Sequence, residues 1–124
     1  MKNSITFSID GVPVSLNQLL NMKTRSYHQY NNYKKDWTER LVLRTKQLKP
    51  KSPFTKVKLR LVSHRHLFLD YDNLVGAMKP IVDGLVTAGL FINDKYTTTG
   101  QWNVDQKKIP KKQQGFVEIE ITED

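Results

Sequence analysis

The chain has 124 residues and no cysteine, and its 20 Lys and Arg against 12 Asp and Glu give a formal net charge of +8. This length fits one domain with a substantial core, and the lack of cysteine excludes disulfides and thiolate zinc sites. No apolar run approaches the ~20 residues of a membrane span, so we expect a soluble, cytoplasmic protein without membrane contact. The excess of positive charge favours a polyanionic partner such as nucleic acid.

The first half of the chain predicts two strands around one helix. Apolar and polar residues alternate over residues 5–9, which predicts a half-buried strand. We expect a polar, proline-containing loop over residues 12–25. Aromatic and apolar residues at three- and four-residue steps then predict a helix over about residues 27–48. Residues 57–61 alternate again and predict a second strand with a basic outer face.

The second half begins with a further predicted helix, over about residues 73–88. Its apolar residues form one stripe along the helix, typical of a face packed on a core. Pro80 lies inside this stretch and is expected to kink the axis because proline has no backbone N–H. Gly89 is well placed to end the helix in the left-handed conformation.

Two strands complete the predicted fold. We expect them over residues 96–104 and 116–121, with a lysine-rich turn at residues 107–115 between them. The order β-α-β-α-β-β predicts a single α+β domain over residues 1–124, in which a mixed sheet packs against two helices.

Acidic side chains cluster in one part of this basic chain. Asp70 and Asp72 stand two residues apart, and Asp94 follows a short apolar segment that is expected to run back through the core. Lys79 and Asp83 lie at helical spacing from Asp72 and share its face. Carboxylates held together repel one another unless a cation relieves their charge, and oxygen ligands are those that Mg²⁺ prefers. We therefore predict a magnesium site formed by Asp70, Asp72 and Asp94.

A purely structural interpretation of the same residues stays open. Asp72 is a favoured residue type for capping a helix N-terminus. Lys79 and Asp83 alone would be an ordinary surface pair, worth roughly 0.2–0.5 kcal/mol. The interpretation as a metal site rests on the whole set and its spacing.

The set also matches a known family. The run Asp70-Tyr71-Asp72-Asn73-Leu74, followed by Lys79, Asp83, Leu85, Ala88-Gly89 and Asp94, resembles the RusA-type Holliday-junction resolvases, a family of phage and prophage endonucleases. Pro13 to Asn17 and Ile119 to Glu123 are similar to the segment after the family's first strand and to its last strand. The resemblance implies a small α+β homodimer that cuts four-way DNA junctions by paired symmetric nicks.

The resemblance also implies roles for individual residues. Asp70, Asp72 and Asp94 match the family's essential acidic residues, and Lys79 matches a helical lysine that contributes to catalysis. We expect Mg²⁺, with Mn²⁺ as a substitute, to activate the attacking water while Lys79 stabilises negative charge on the phosphate. Asn73 is expected to orient a water or the backbone, and Asp83 to hold Lys79.

Three departures from the family pattern keep alternatives open. There are three more residues between Asn73 and Lys79 than the family has, and Asn93 stands where the family has an aspartate. These differences leave open a DNA-binding protein of the same fold with weakened catalysis. The arginine-rich approach to the motif is reduced to His64-Arg65-His66, which leaves open a nuclease that prefers forks or flaps.

Basic and aromatic side chains outside the motif are candidates for DNA contact, because neutralised phosphates dominate protein–DNA affinity. The alternative for any one lysine is a solvated side chain that only maintains solubility. The candidates are Arg25, Tyr27, His28, Arg65, Lys107, Lys108, Lys111 and Lys112. A bacterial host cell, possibly carrying the gene in a prophage, is the source that the resemblance implies.

Overall fold

A computed structural model describes residues 3–124 of the chain. Four strands and five helices follow one another in the order β1, α1, α2, β2, α3, α4, α5, β3, β4. The strands are β1 (Ser4–Asp10), β2 (Val57–Arg65), β3 (Asn103–Lys108) and β4 (Phe116–Glu123). The helices are α1 (Leu16–Arg25), α2 (Tyr27–Thr45), α3 (Tyr71–Ala77), α4 (Lys79–Thr87) and α5 (Tyr96–Thr99).

The four strands form one mixed sheet in the order β1-β4-β2-β3. β4 runs antiparallel to both β1 and β2, whereas β2 and β3 are parallel. The last strand of the sequence, β4, therefore lies inside the sheet, between β1 and β2. The predicted small α+β domain with a mixed sheet is confirmed, although its helices number more than the predicted two.

One face of the sheet and the helices share a single core. Alternate residues of β4, Val117, Ile119 and Ile121, are fully buried there. Trp37 and Leu41 of α2 belong to the same cluster. α2 and α4 approach closely because Gly84 lies at their contact, where an added Cβ would stand 2.6 Å from Leu41 Cδ1. Such a contact holds α4, and with it Lys79 at its first position, firmly against the core.

α1 occupies the segment for which a loop was predicted, so that prediction is wrong. Ser15 caps this helix: its hydroxyl accepts a hydrogen bond from the Gln18 amide at 3.1 Å, and Gln18 Oε1 accepts one from the Ser15 amide at 3.2 Å. This reciprocal pair is a capping box. The Ser-x-x-Gln spacing of a capping box is present in the sequence, but the polar residues around it favoured the prediction of a loop.

The second predicted helix is divided into α3 and α4. The two helices meet at Met78, whose amide donates to Val75 O at 3.1 Å in a tight turn. Pro80 is the second residue of α4, where a missing N–H costs no helical hydrogen bond. The kink predicted at Pro80 is thus a break between two helices. Gly89 follows α4 with a φ of +88°, the left-handed conformation that was predicted.

The predicted strand over residues 96–104 is wrong in its first half. Residues 96–99 form the short helix α5, and the strand begins only at Asn103. Lys95 is the N-cap residue of this helix and forms no side-chain cap. Asn93 holds the backbone before the helix, since its Oδ1 accepts hydrogen bonds from Lys95 N at 3.0 Å and from Thr98 Oγ1 at 2.7 Å. At the other end, β3 continues through Lys108, so the lysine-rich turn begins two residues later than predicted.

Candidate active site

The segment that enters the acidic motif is fixed from both sides. The Arg65 guanidinium donates to Leu67 O at 2.8 Å and to Pro13 O at 3.1 Å. Gln106, on the parallel strand β3, exchanges two hydrogen bonds with the backbone of Leu69, at 3.0 and 2.8 Å. Asp70, the next residue, therefore begins α3 from a well-anchored backbone.

Asp70 and Asp72 lie at the start of α3. Asp70 is the N-cap residue and Asp72 is in the first turn, where the partial positive charge of the helix end favours carboxylates. Both residues are exposed. Within residues 3–124, neither carboxylate has a hydrogen bond or a salt bridge, and both remain accessible to a solute.

Asn73 links the motif to α1. Its Oδ1 accepts a hydrogen bond from the Asn17 backbone amide at 3.0 Å, which satisfies one of the free amides at the α1 N-terminus. α1 and α3 also approach closely at Gly76, where an added Cβ would stand 2.7 Å from Leu16 Cβ. The segment around Pro13 to Asn17 and the acidic motif are thus joined in space.

Lys79 forms an ion cluster with two aspartates. Its Nζ donates to Asp83 Oδ1 at 2.8 Å, the contact that their helical spacing predicted, and also to Asp94 Oδ2. The second contact joins residues fifteen positions apart. Asp94 therefore returns to α4 after the chain has passed through the buried Leu90 and Phe91.

The cluster shifts the protonation equilibria of its members. Partial burial, the largest single influence, lowers the pKa of Lys79, but the hydrogen bonds and charges of Asp83 and Asp94 together raise it above its ordinary value. The hydrogen bond from Lys79 is the main influence on Asp94 and holds the pKa of that carboxyl below its ordinary value, against a smaller desolvation effect. Both shifts favour the charged pair.

The three aspartates of the predicted metal site do not form a ready-made cluster. In the part of the chain that the structure describes, no three His, Asp or Glu side chains stand close enough together to hold a metal ion. Instead, the carboxylate of Asp94 is engaged by Lys79, and Asp70 and Asp72 carry no partner there. The donor set still suits Mg²⁺ chemically, because all three residues supply carboxylate oxygen.

Two lysines near the cluster were not anticipated. A small cleft of about 100 Å³ is lined by Lys79 and Asp83 together with Lys23 of α1 and Lys34 of α2. Lys23 and Lys34 both lie over the ring of Tyr30, with Nζ 5.9 and 4.9 Å from its centroid. Three helices bring these cations together, and no local sequence pattern indicates that arrangement.

The side chains predicted to contact DNA fall into separate regions. Arg25, Tyr27 and His28 lie at the junction of α1 and α2 and are exposed, with Tyr27 62% exposed. Four exposed lysines lie at the end of β3 and in the turn after it: Lys107, Lys108, Lys111 and Lys112. Arg65 is only 7% exposed, and burial lowers its pKa. Its guanidinium donates to the backbone oxygens of Leu67 and Pro13, so we assign to Arg65 a structural role in holding the segment before the acidic motif.

Comparison with known proteins adds no relative. No family model matches the chain, and no curated protein matches it. Among residues 3–124, none of the helices is long and apolar enough to cross a membrane.

Proposed function

We propose that this protein is a Mg²⁺-dependent endonuclease that cleaves branched DNA, with the four-way junction as its first candidate substrate. The observation that carries the proposal is the contact of Lys79 with Asp94, in a chain whose Asp70 and Asp72 carboxylates are accessible. The resemblance of these residues to the RusA-type resolvases supplies the substrate class. The net charge of +8 supports a polyanionic substrate.

In this proposal, Asp70, Asp72 and Asp94 hold the ion, and Mn²⁺ substitutes for Mg²⁺. The bound ion supplies Lewis-acid polarisation of the scissile phosphate and lowers the pKa of the attacking water. Asp94 would have to release Lys79 to hold the ion, and Asp83 would keep its contact with the lysine. Lys79 then donates hydrogen bonds to the phosphate oxygens, on which charge develops in the transition state.

Several other residues have supporting roles. Asn73 holds α1 against the motif through the Asn17 amide. Lys23 and Lys34 extend the positive potential around Lys79 and attract the DNA backbone. Two matched nicks in a junction with two-fold symmetry require two sites, so the active species is a C2 homodimer in this proposal.

A second candidate function is DNA binding without cleavage. The contact of Lys79 with the Asp94 carboxylate favours it, as does Asn93, which stands where the resemblance implies an aspartate. Under this alternative, the ion cluster of Lys79, Asp83 and Asp94 is a permanent structural feature. The basic side chains are then the functional ones.

Digestion of three labelled substrates decides between these functions. A mobile four-way junction, a replication fork and a linear duplex are incubated with the protein in Mg²⁺, with and without chelator. We expect paired nicks in the junction that disappear with chelator and in Asp72→Asn. They persist in the control Asp36→Asn, whose carboxylate pairs with Arg40 and belongs to neither the motif nor the ion cluster. Cleavage of the fork alone would indicate the fork- or flap-specific nuclease. Binding without any nicking would contradict the enzyme proposal.

A further inference from the structure

An aromatic surface adjoins the acidic motif and has no part in the function proposed so far. Two shallow clefts, of about 350 and 290 Å³, lie side by side between α3 and the start of β3. Tyr71, Gln101 and Trp102 line both of them. Tyr71 is 57% exposed, so its ring is accessible to a ligand.

The tryptophan in this surface is held in place. Its indole Nε1 donates to Thr99 Oγ1 at 3.1 Å, and Thr99 is itself buried. Trp102 also packs against the hydrophobic core. A ring fixed in this way loses little conformational freedom when a ligand stacks on it, so the cleft is preorganised.

The position of the surface relates it to the acidic residues. Tyr71 stands in the sequence between Asp70 and Asp72, in the first turn of α3. The aromatic surface and the two accessible carboxylates therefore belong to the same turn of the chain.

The surface also continues into a larger cleft. This cleft, of about 770 Å³, shares Gly100, Gln101 and Asn103 with the two aromatic clefts. Three basic side chains line it at the start of β2 and just before it, Lys56, Lys58 and Arg60, and two acidic residues, Glu120 and Asp124, line its other side. A chain molecule that leaves the aromatic clefts thus meets cations at alternate positions along β2.

We propose that Tyr71 and Trp102 form a stacking site for an unpaired nucleobase, whose strand continues towards Lys56, Lys58 and Arg60. Aromatic rings beside a basic groove are the combination by which proteins bind single-stranded nucleic acid. Bases inside a duplex are stacked on each other and unavailable to such a site. This inference rests on the proposed nuclease function, and it assigns to the substrate an unpaired nucleotide at the branch.

The test measures binding of a fluorescein-labelled oligothymidylate by anisotropy, in chelator, and compares it with a duplex of the same length. Tryptophan fluorescence is recorded in parallel, and Trp102 is the residue that responds because Trp37 is 2% exposed. The variants are Tyr71→Leu and Trp102→Leu, with Tyr71→Phe and Trp102→Phe as aromatic controls. Leu43→Ala, a change at an exposed position on α2, is the surface control.

We expect each leucine variant to lose roughly 5- to 150-fold in affinity for the single strand, the equivalent of one lost base stack. The phenylalanine variants and Leu43→Ala retain it, and binding to the duplex changes little. Melting curves establish that each variant is folded. Tyr71→Leu alone is a sufficient test if Trp102→Leu fails to fold.

The inference is overturned if the leucine variants bind oligothymidylate like the unaltered protein, or if the chain does not bind it. It is also overturned if these variants only dissociate a dimer, because a second copy then occupies the clefts. Failure of the nuclease proposal has a different signature. In that case binding depends on Tyr71 and Trp102 as expected, while no substrate is nicked in Mg²⁺.

Discussion

Lys79 has a double role in this account, because its ammonium group occupies the carboxylate of Asp94 before any metal ion does. The sequence indicated its pairing with Asp83, four residues away on the same helix. It did not indicate the hydrogen bond to Asp94, which depends on the path of the chain through the core. At the scale of single residues, competition between a lysine and a divalent ion for one carboxylate is therefore the central feature.

Replacement of Lys79 by methionine separates the two roles. We expect Lys79→Met to bind Mn²⁺ more tightly, because Asp94 is then free, and to lose roughly 100- to 1,000-fold in cleavage rate through the lost hydrogen bonds to the phosphate. Calorimetric titration and the junction assay measure these effects. Lys35→Met is the matched control, since Lys35 forms a similar i,i+4 pair with Glu39 at 3.9 Å. Unchanged Mn²⁺ affinity would contradict the competition.

The pKa shifts predict how the Lys79–Asp94 pair depends on pH. The lowered pKa of Asp94 gives a stabilisation that is present above the pKa of the unfolded chain and is lost as pH falls through the folded value. The raised pKa of Lys79 gives one that is present below the unfolded value and is lost as pH rises through the folded value. The pair therefore contributes across neutral pH and fails at both extremes.

Melting temperatures of the protein and of Asp94→Asn, measured against pH in metal-free buffer, test this dependence. The difference between the two melting temperatures should be small, because the side chains of Lys79 and Asp94 are partly exposed, and it should shrink in strong salt. It should be largest near neutrality and fall towards acid and alkaline pH. A difference that stays constant into the acid range would show that Asp94 acts without its charge.

At the scale of elements, three of the four strands and the long helix α2 could be predicted, whereas the short helices could not. Apolar alternation specifies β1 and β4 because one face of the sheet is buried, and helical periodicity specifies α2 for the same reason. α1 buries only Leu19 and begins at the Ser15 capping box, a specific hydrogen-bond pattern that has to be recognised in the sequence. α5 has four residues and no side-chain cap, so no residue in the sequence marks its start.

The capping box gives a direct test of that explanation. Ser15→Ala removes the acceptor for the Gln18 amide, and we expect it to lower the free energy of unfolding by about 0.5–2 kcal/mol. Urea titration of the variant measures the loss. Ser52→Ala, in the exposed connector before β2, is the control and should have no effect beyond error. If Ser15→Ala is as stable as the unaltered protein, the capping box is not the reason that α1 forms.

At the scale of the whole molecule, the site depends on contacts between distant parts of the chain. β4 lies between β1 and β2, so Ser4 pairs with Thr122 across almost the entire sequence. The parallel pairing of β2 with β3 brings Gln106 to Leu69, just before the acidic motif. The sequence predicted β1, β2, β4 and the Lys79–Asp83 contact, but it placed the third strand over residues 96–104, of which only the last two belong to β3. It did not predict strand order, and so it did not place Lys23 and Lys34 beside the ion cluster.

The overall charge connects these features to a substrate. A chain with a net charge of +8 that leaves two carboxylates exposed and without partners within residues 3–124 needs a cation to bring a polyanion near them. In the proposed function, a divalent ion shared by Asp70, Asp72 and Asp94 is that cation. The nuclease proposal depends on this ion, whereas the inferred nucleobase site depends on aromatic stacking and is tested in chelator.

Titration of the protein with Mn²⁺, followed by calorimetry, tests the shared ion most directly. We expect a single Mn²⁺ site whose affinity falls by about tenfold or more in each of the variants Asp70→Asn, Asp72→Asn and Asp94→Asn. Asp36→Asn should bind Mn²⁺ as the unaltered protein does. If any of the three variants binds Mn²⁺ as the unaltered protein does, the three aspartates do not share one ion, and the metal site assigned here is wrong.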